Sequence, residues 1–377
     1  MSELSIRPAN GSTNVSPDEG ITVRAVRGTI ERVEVRTSGV PVTGTLDATG
    51  RHWRSRWILS VSQRYTVVVT ARYAGRTVTA RSTFRTLRPH DVFATQIFEG
   101  YRETYGVGMP IELNFSRPIV YKAAVERALE ITTSEPVVGA WYWNGDEQVD
   151  FRPETYWPVG TRIGFVGHLD GVEGAPGVYG DHQLTQTFSI GASLIVVAST
   201  ATHRMDLYLD GRLRDVWPIS TGRPGDDTPD GTYLTIDKHN PVDMVGPGYN
   251  IEVPWSVQIT WNGDYLHDAY WSVGEQGYEN VSHGCVNMPP LDAETYYDLE
   301  VPGDPVTITG SPLAGTSGNG WTEWFLSWRQ LLAGSALHEA VAAGPNGSVF
   351  VSPASVPTVT ASAPLQTSAP GNAAASD

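Results

Sequence analysis

Residues 65 to 73 impose the strongest constraint on the fold. Tyr65, Val67, Val69, Ala71 and Tyr73 alternate with Thr66, Val68, Thr70 and Arg72. A period of two gathers the first set on one face of an extended chain, whereas a helix would scatter it around the axis. A Gly75-Arg76 turn then leads into a second Thr/Val-rich run through Val78, and Ile21, Val23 and Ala25 alternate in the same way. Short strands separated by turns predict a small antiparallel sandwich over residues 1–90.

Residues 91–190 show the same pattern with different side chains. Ile111, Leu113 and Phe115 alternate, Trp141 and Trp143 share one face, and Pro158-Val159-Gly160-Thr161 reads as a turn. The expectation is mainly β, with two immunoglobulin-like sandwiches in tandem. A third unit, residues 191–311, opens on the strand Leu194-Ile195-Val196-Val197, and Asp210-Gly211 between Leu209 and Leu213 signals a hairpin. The stretch Ser220 to Gly231 is too rich in turn formers to be a strand. Leu291, Thr295 and Leu299 are spaced to line one face of a short helix, and Pro305 to Thr309 reads as the unit's last strand. Trp321, Trp324, Phe325 and Trp328 recur at helical spacing, which predicts that residues 312–343 pack back on the third unit. Residues 344–377 collapse to Ala, Ser, Pro, Thr and Val, a composition that predicts a disordered tail.

The net charge of −15 argues against a general nucleic-acid binder, because phosphate contacts require clustered Lys and Arg. No apolar run reaches the roughly 18–20 residues of a membrane span, and no signal peptide precedes the polar opening Met1-Ser2-Glu3. The one cysteine, Cys285, cannot form an intramolecular disulfide. It is either a buried small hydrophobe or a reactive thiol, and its polar setting, Ser282-His283-Gly284-Cys285-Val286-Asn287, favours the second.

His267, then 14 residues, then Ser282-His283-Gly284-Cys285-Val286-Asn287 resembles the signature of the L,D-transpeptidase (YkuD-type) catalytic domain. Thr221-Gly222 and Thr228-Pro229-Asp230-Gly231 resemble that family's second recurrent stretch, in the right order. The tandem sandwiches and the Trp-rich segment are similar to the layout of actinobacterial members. The resemblance implies peptidoglycan stem peptides as donor and acceptor, a cysteine acyl-enzyme, release of D-Ala, a 3→3 cross-link, and capture by carbapenems. It implies no cofactor and no metal. It also implies action outside the cytoplasmic membrane, in the cell wall or periplasmic space, with an export or membrane-anchoring segment absent from this chain.

Acyl transfer requires a nucleophile, a base, and donors facing the developing oxyanion. Cys285 is the nucleophile, and the backbone N–H groups around Gly284 and Cys285 are natural oxyanion donors. By resemblance, His267 is the base and the Asp268 backbone carbonyl orients it. The Asp268 carboxylate has two readings, raising the pKa of His267 or facing solvent, with the second favoured. Resemblance also puts Tyr249 over the site and Trp271 at the rim of the substrate channel. Ser282 and Asn287 shape the cysteine loop, and His283 supports it or touches substrate.

Three rival readings remain at this point. His267, His283 and Cys285 are legitimate zinc ligands, although the spacing matches no common zinc pattern and no fourth ligand is evident. Water instead of an amine would make the enzyme an L,D-carboxypeptidase, and another acceptor would attach proteins to the wall. A non-enzymatic adhesion protein would account for residues 1–190 but not for the cysteine constellation.

Overall fold

The computed structural model describes residues 4–246 and 249–352. In the first unit, Leu4–Arg7, Thr22–Ala25, His52–Ser55 and Gly44–Leu46 form one sheet, and Thr29–Arg36, Arg64–Tyr73 and Arg76–Arg85 form another. Tyr65, Val67, Val69 and Ala71 are buried, as their alternation requires, and pack with Ile21, Val23 and Phe84. The turn that joins the last two strands falls one residue earlier than expected. Ala74 and Gly75 both take positive φ, 47° and 77°, and Tyr73 pairs with Arg76. That is the two-residue hairpin geometry whose twist matches its strands.

The second unit is built on a ten-stranded sheet with its own core, in which Trp141, Trp143 and Trp157 are buried. One strand of this sheet comes from far along the chain. Ala340–Gly344 lies between Leu129–Thr133, to which it is parallel, and Val137–Trp143, to which it is antiparallel. Gly347–Val351 folds back onto it. Val341 and Ala343 are small enough to enter the core beside Val137.

This corrects two sequence expectations. The segment 312–343 does not pack on the third unit alone: Trp321 is buried in the second core and donates to Glu112 Oε2 (2.8 Å), and Trp324 donates to the Gly108 carbonyl (2.8 Å). Phe325 instead meets Tyr233 of the third unit. Residue 344 does not open a disordered tail as expected, because residues 347–351 are a strand; the rest of that expectation, residues 353–377, lies outside the described residues.

In the third unit, Arg212–Pro218, Arg204–Leu209, Leu194–Ser199, Pro305–Thr309 and Gly231–Leu234 form a five-stranded sheet. A second sheet holds Asp237–His239, Ser256–Gln258, Tyr265–Asp268 and Val286–Met288. Helix Pro290–Leu299 packs over it, burying Ala293 and Tyr296. The apolar face expected from Leu291 is therefore displaced, and Leu291 stays exposed. Among the described residues no helix is long and apolar enough to cross a membrane.

Candidate active site

Strand pairing brings the two key residues together. Tyr265–Asp268 runs parallel to Val286–Met288, with Leu266 opposite Val286 and His267 opposite Asn287. The connection between these strands ends at Cys285, so the thiol arrives at the head of the strand beside His267. Both side chains line a cavity of about 650 Å³, together with Trp271, Ser282, His283 and Asn287. Met244 and Ile251 form part of its wall, carried by the paired strands Val242–Gly246 and Tyr249–Val253. Tyr249 begins the second of these strands, and its side chain lies outside the described residues.

His267 is buried, and its Nδ1 donates to the Asp268 carbonyl at 2.7 Å. A proton held on Nδ1 leaves Nε2 as the basic nitrogen. Burial pushes the imidazole down to about 4, against the pull of that carbonyl. Burial likewise pushes the Cys285 thiol up to about 12, with the Tyr265 backbone N–H drawing it down and Asp264 adding to the rise. Both shifts favour the neutral forms, thiol and imidazole, at neutral pH. The thiol points toward the Gly263 carbonyl at 4.0 Å.

The Asp268 carboxylate follows neither sequence reading. It is buried instead of facing solvent, Oδ1 has no hydrogen-bond partner among the described residues, and its pKa is raised by burial. Only the Asp268 backbone carbonyl acts on His267.

The cysteine loop is held from beneath. Gly284 sits at φ +131°, a conformation that L side chains rarely adopt. Its N–H donates to Ser282 Oγ (3.2 Å), and Ser282 Oγ donates to the Cys285 carbonyl (2.6 Å). The Gly284 N–H is thereby engaged within the loop itself. Asn287 Nδ2 reaches Ser272 Oγ (3.0 Å) and so ties the strand to the segment bearing Trp271. Trp271 is 45% exposed, at the rim, with its ring stacked 5.8 Å from that of His267. His283 is exposed. Among the described residues no three His, Cys, Asp or Glu side chains converge as a metal-binding set.

Two supports were not singled out from sequence. Thr228 Oγ1 donates to the Gly284 carbonyl (2.6 Å) and accepts from the Gly222 N–H (2.9 Å), which gives the Thr-Pro-x-Gly stretch its structural purpose. Asn280 Oδ1 accepts from the Thr221 N–H and hydroxyl, and Asn280 Nδ2 donates to the Thr200 carbonyl. Asn280 carries no motif signal, whereas Thr228 stood in a recognised stretch without an assigned role. Thr228→Val keeps the shape but leaves two buried backbone groups unpaired, at about 1–3 kcal/mol each. Denaturant titration is expected to show a lowered midpoint for Val and a near-normal one for Thr228→Ser, with slower thiol acylation following the same order. Equal midpoints for the two variants would refute the bridging role.

Residues 193–308 match the L,D-transpeptidase catalytic domain family (YkuD), and residues 12–173 match a bacterial Ig domain family. The chain is 32% identical over 348 residues to L,D-transpeptidase 2 of Mycobacterium tuberculosis (strain CDC 1551 / Oshkosh), covering 89% of this chain and 85% of the relative. It is also 32% identical over 355 residues to L,D-transpeptidase 5 of Mycobacterium tuberculosis (strain ATCC 25618 / H37Rv), covering 89% and 77%. A solved structure of the LD transpeptidase LdtMt1 in complex with imipenem superimposes with a TM-score of 0.50 and 32% identity, covering 57% of this chain and 97% of that one.

Proposed function

Since the chain belongs to the L,D-transpeptidase family, we propose that it forms 3→3 peptidoglycan cross-links through an acyl-enzyme on Cys285. The observation that carries this reading is the parallel pairing of the His267 and Asn287 strands, which delivers thiol and imidazole to one cavity. Cys285 Sγ attacks the carbonyl joining the third stem residue to D-Ala, and His267 Nε2 takes the thiol proton. The Cys285 N–H stabilises the oxyanion; a donor of this kind is worth about 2.7–4 kcal/mol. His267 returns the proton to the departing D-Ala nitrogen, leaving a thioester. The side-chain amine of a second stem then attacks the thioester and frees the thiol.

A carbapenem offers the same sulfur a strained amide carbonyl, so its ring opens to a stable adduct, in keeping with the relative solved with imipenem. Action on the wall places the protein outside the cytoplasmic membrane, where the two sandwiches serve as spacers. Incubation with a disaccharide-tetrapeptide tests the reading by mass spectrometry. The expected product is a dimer formed with loss of D-Ala. Loss of D-Ala without dimer would assign the chain to hydrolysis instead.

A further inference from the structure

The cysteine loop has a second cavity on it, of about 510 Å³, which meets the first at His283. Its lining includes Gly284, Asp226, Asp227, Asp264 and Leu313. Two of the three carboxylates are engaged: Asp226 pairs with Arg223 (2.8 Å), and Asp227 accepts from the Gly225 N–H (3.2 Å). Asp264 is likewise held at one oxygen, but of the three carboxylates it alone approaches Gly284 and acts on the Cys285 sulfur. Its Oδ2 accepts from Thr260 Oγ1 (2.9 Å), and its own N–H donates back to that hydroxyl (2.9 Å), which fixes the side chain. No donor among the described residues reaches Oδ1. That oxygen faces the cysteine loop, since a methyl group on Gly284 would come within 3.1 Å of it. Asp264 is also close enough to Cys285 to act on the sulfur electrostatically.

A fixed carboxylate beside the nucleophile disfavours the thiolate, so it opposes the first half of the reaction. It suits the second half, in which the incoming group is an aliphatic primary amine that is cationic in solution. From this geometry we infer that Asp264 Oδ1 is the anchor for the acceptor amine, which enters by the second cavity while the acyl chain occupies the first. This inference rests on the cross-linking reading above. The anchored ammonium first releases one proton to solvent; the free amine nitrogen then forms the C–N bond to the thioester carbonyl, and the adduct nitrogen carries a positive charge that Oδ1 stabilises. Asp264 takes one proton from that nitrogen, the C–S bond breaks, and the proton passes to the departing sulfur, restoring thiol and carboxylate. The products are one amide and one thiol.

Asp264→Asn keeps the shape and the bond to Thr260 but removes the charge. The two halves of the reaction are expected to move in opposite directions. Carbapenem acylation of Cys285, followed by intact mass, should become faster at neutral pH. The ratio of cross-linked dimer to hydrolysed tripeptide should fall about tenfold or more, the worth of a hydrogen bond to a charged group. Hydroxylamine, an uncharged nucleophile at mildly alkaline pH, should intercept the acyl-enzyme of both proteins at similar rates, and Asp264→Glu should restore part of the ratio. An unchanged dimer-to-tripeptide ratio in Asp264→Asn, with the wild type cross-linking normally, overturns the anchor alone. So does a parallel loss of acylation and transfer, which marks a structural role. A wild type that is acylated by carbapenem but forms no dimer overturns the anchor together with the cross-linking reading.

Discussion

With His267 replaced by alanine, acylation of Cys285 by a carbapenem is expected to slow by about 10²–10⁴-fold, the usual worth of a positioned general base. The pH profile should change as well. In the wild type the imidazole, held down to about 4, is neutral and able to accept a proton above that pH, while the thiol, held up to about 12, stays protonated. The acylation rate should fall below about pH 4 and run nearly flat through neutrality into the alkaline range. Without the base, only pre-ionised thiolate reacts, so the variant's rate should climb about tenfold per pH unit toward the thiol's own ionisation. Stopped-flow acylation across pH reads both curves. A bell centred near neutrality in the wild type would show instead a preformed thiolate–imidazolium pair. The same depressed imidazole makes a contribution to stability that is intact above its ordinary value of 6.5 and is lost as pH falls toward about 4.

Cys285→Ala is expected to abolish covalent capture and to lower turnover by a factor on the order of 10⁶, as loss of a nucleophile does when base and oxyanion donors remain. The loop should survive the change. Its shape depends on Gly284 at positive φ, on the Ser282 hydroxyl and on Thr228, and none of these contacts uses the sulfur. The unfolding free energy should therefore stay within about 1 kcal/mol of the wild type, a normal cost for a small side-chain truncation. Intact mass after carbapenem, paired with denaturant unfolding, reads both quantities. An adduct on the alanine variant would move the nucleophile elsewhere.

Sequence reading reached the features that are local and missed those set by distant chain. The alternation of residues 65–73 was visible because each position reports its own face, and the burial of Tyr65, Val67 and Val69 follows from it. The cysteine loop was visible because its chemistry is concentrated in six consecutive residues with a spaced histidine. Ala340–Gly344 was not, since Ala-Val-Ala-Ala-Gly has no alternation and takes its conformation from strands some 200 positions away. The Trp-rich stretch was legible as apolar, but its division between two cores was not, because spacing says nothing about which partner each ring meets. Asp268 was misjudged for a related reason: the family resemblance put its backbone carbonyl against His267, as found, while the neighbours that enclose its carboxylate are not adjacent in sequence.

The inserted C-terminal strand has a consequence for how the protein is made. Chains emerge from the ribosome N-terminus first, and domains generally fold as units in that order. Here the slot between Leu129–Thr133 and Val137–Trp143 stays unfilled until residues 340–344 have been synthesised, after the last strand of the catalytic unit, Pro305–Thr309. The middle unit is therefore completed last, although it precedes the catalytic unit in the chain. Until then it exposes two unpaired strand edges, the kind of surface that invites association with other chains. The arrival of residues 340–344 closes both edges at once, so a chain truncated before them keeps two open edges at its centre.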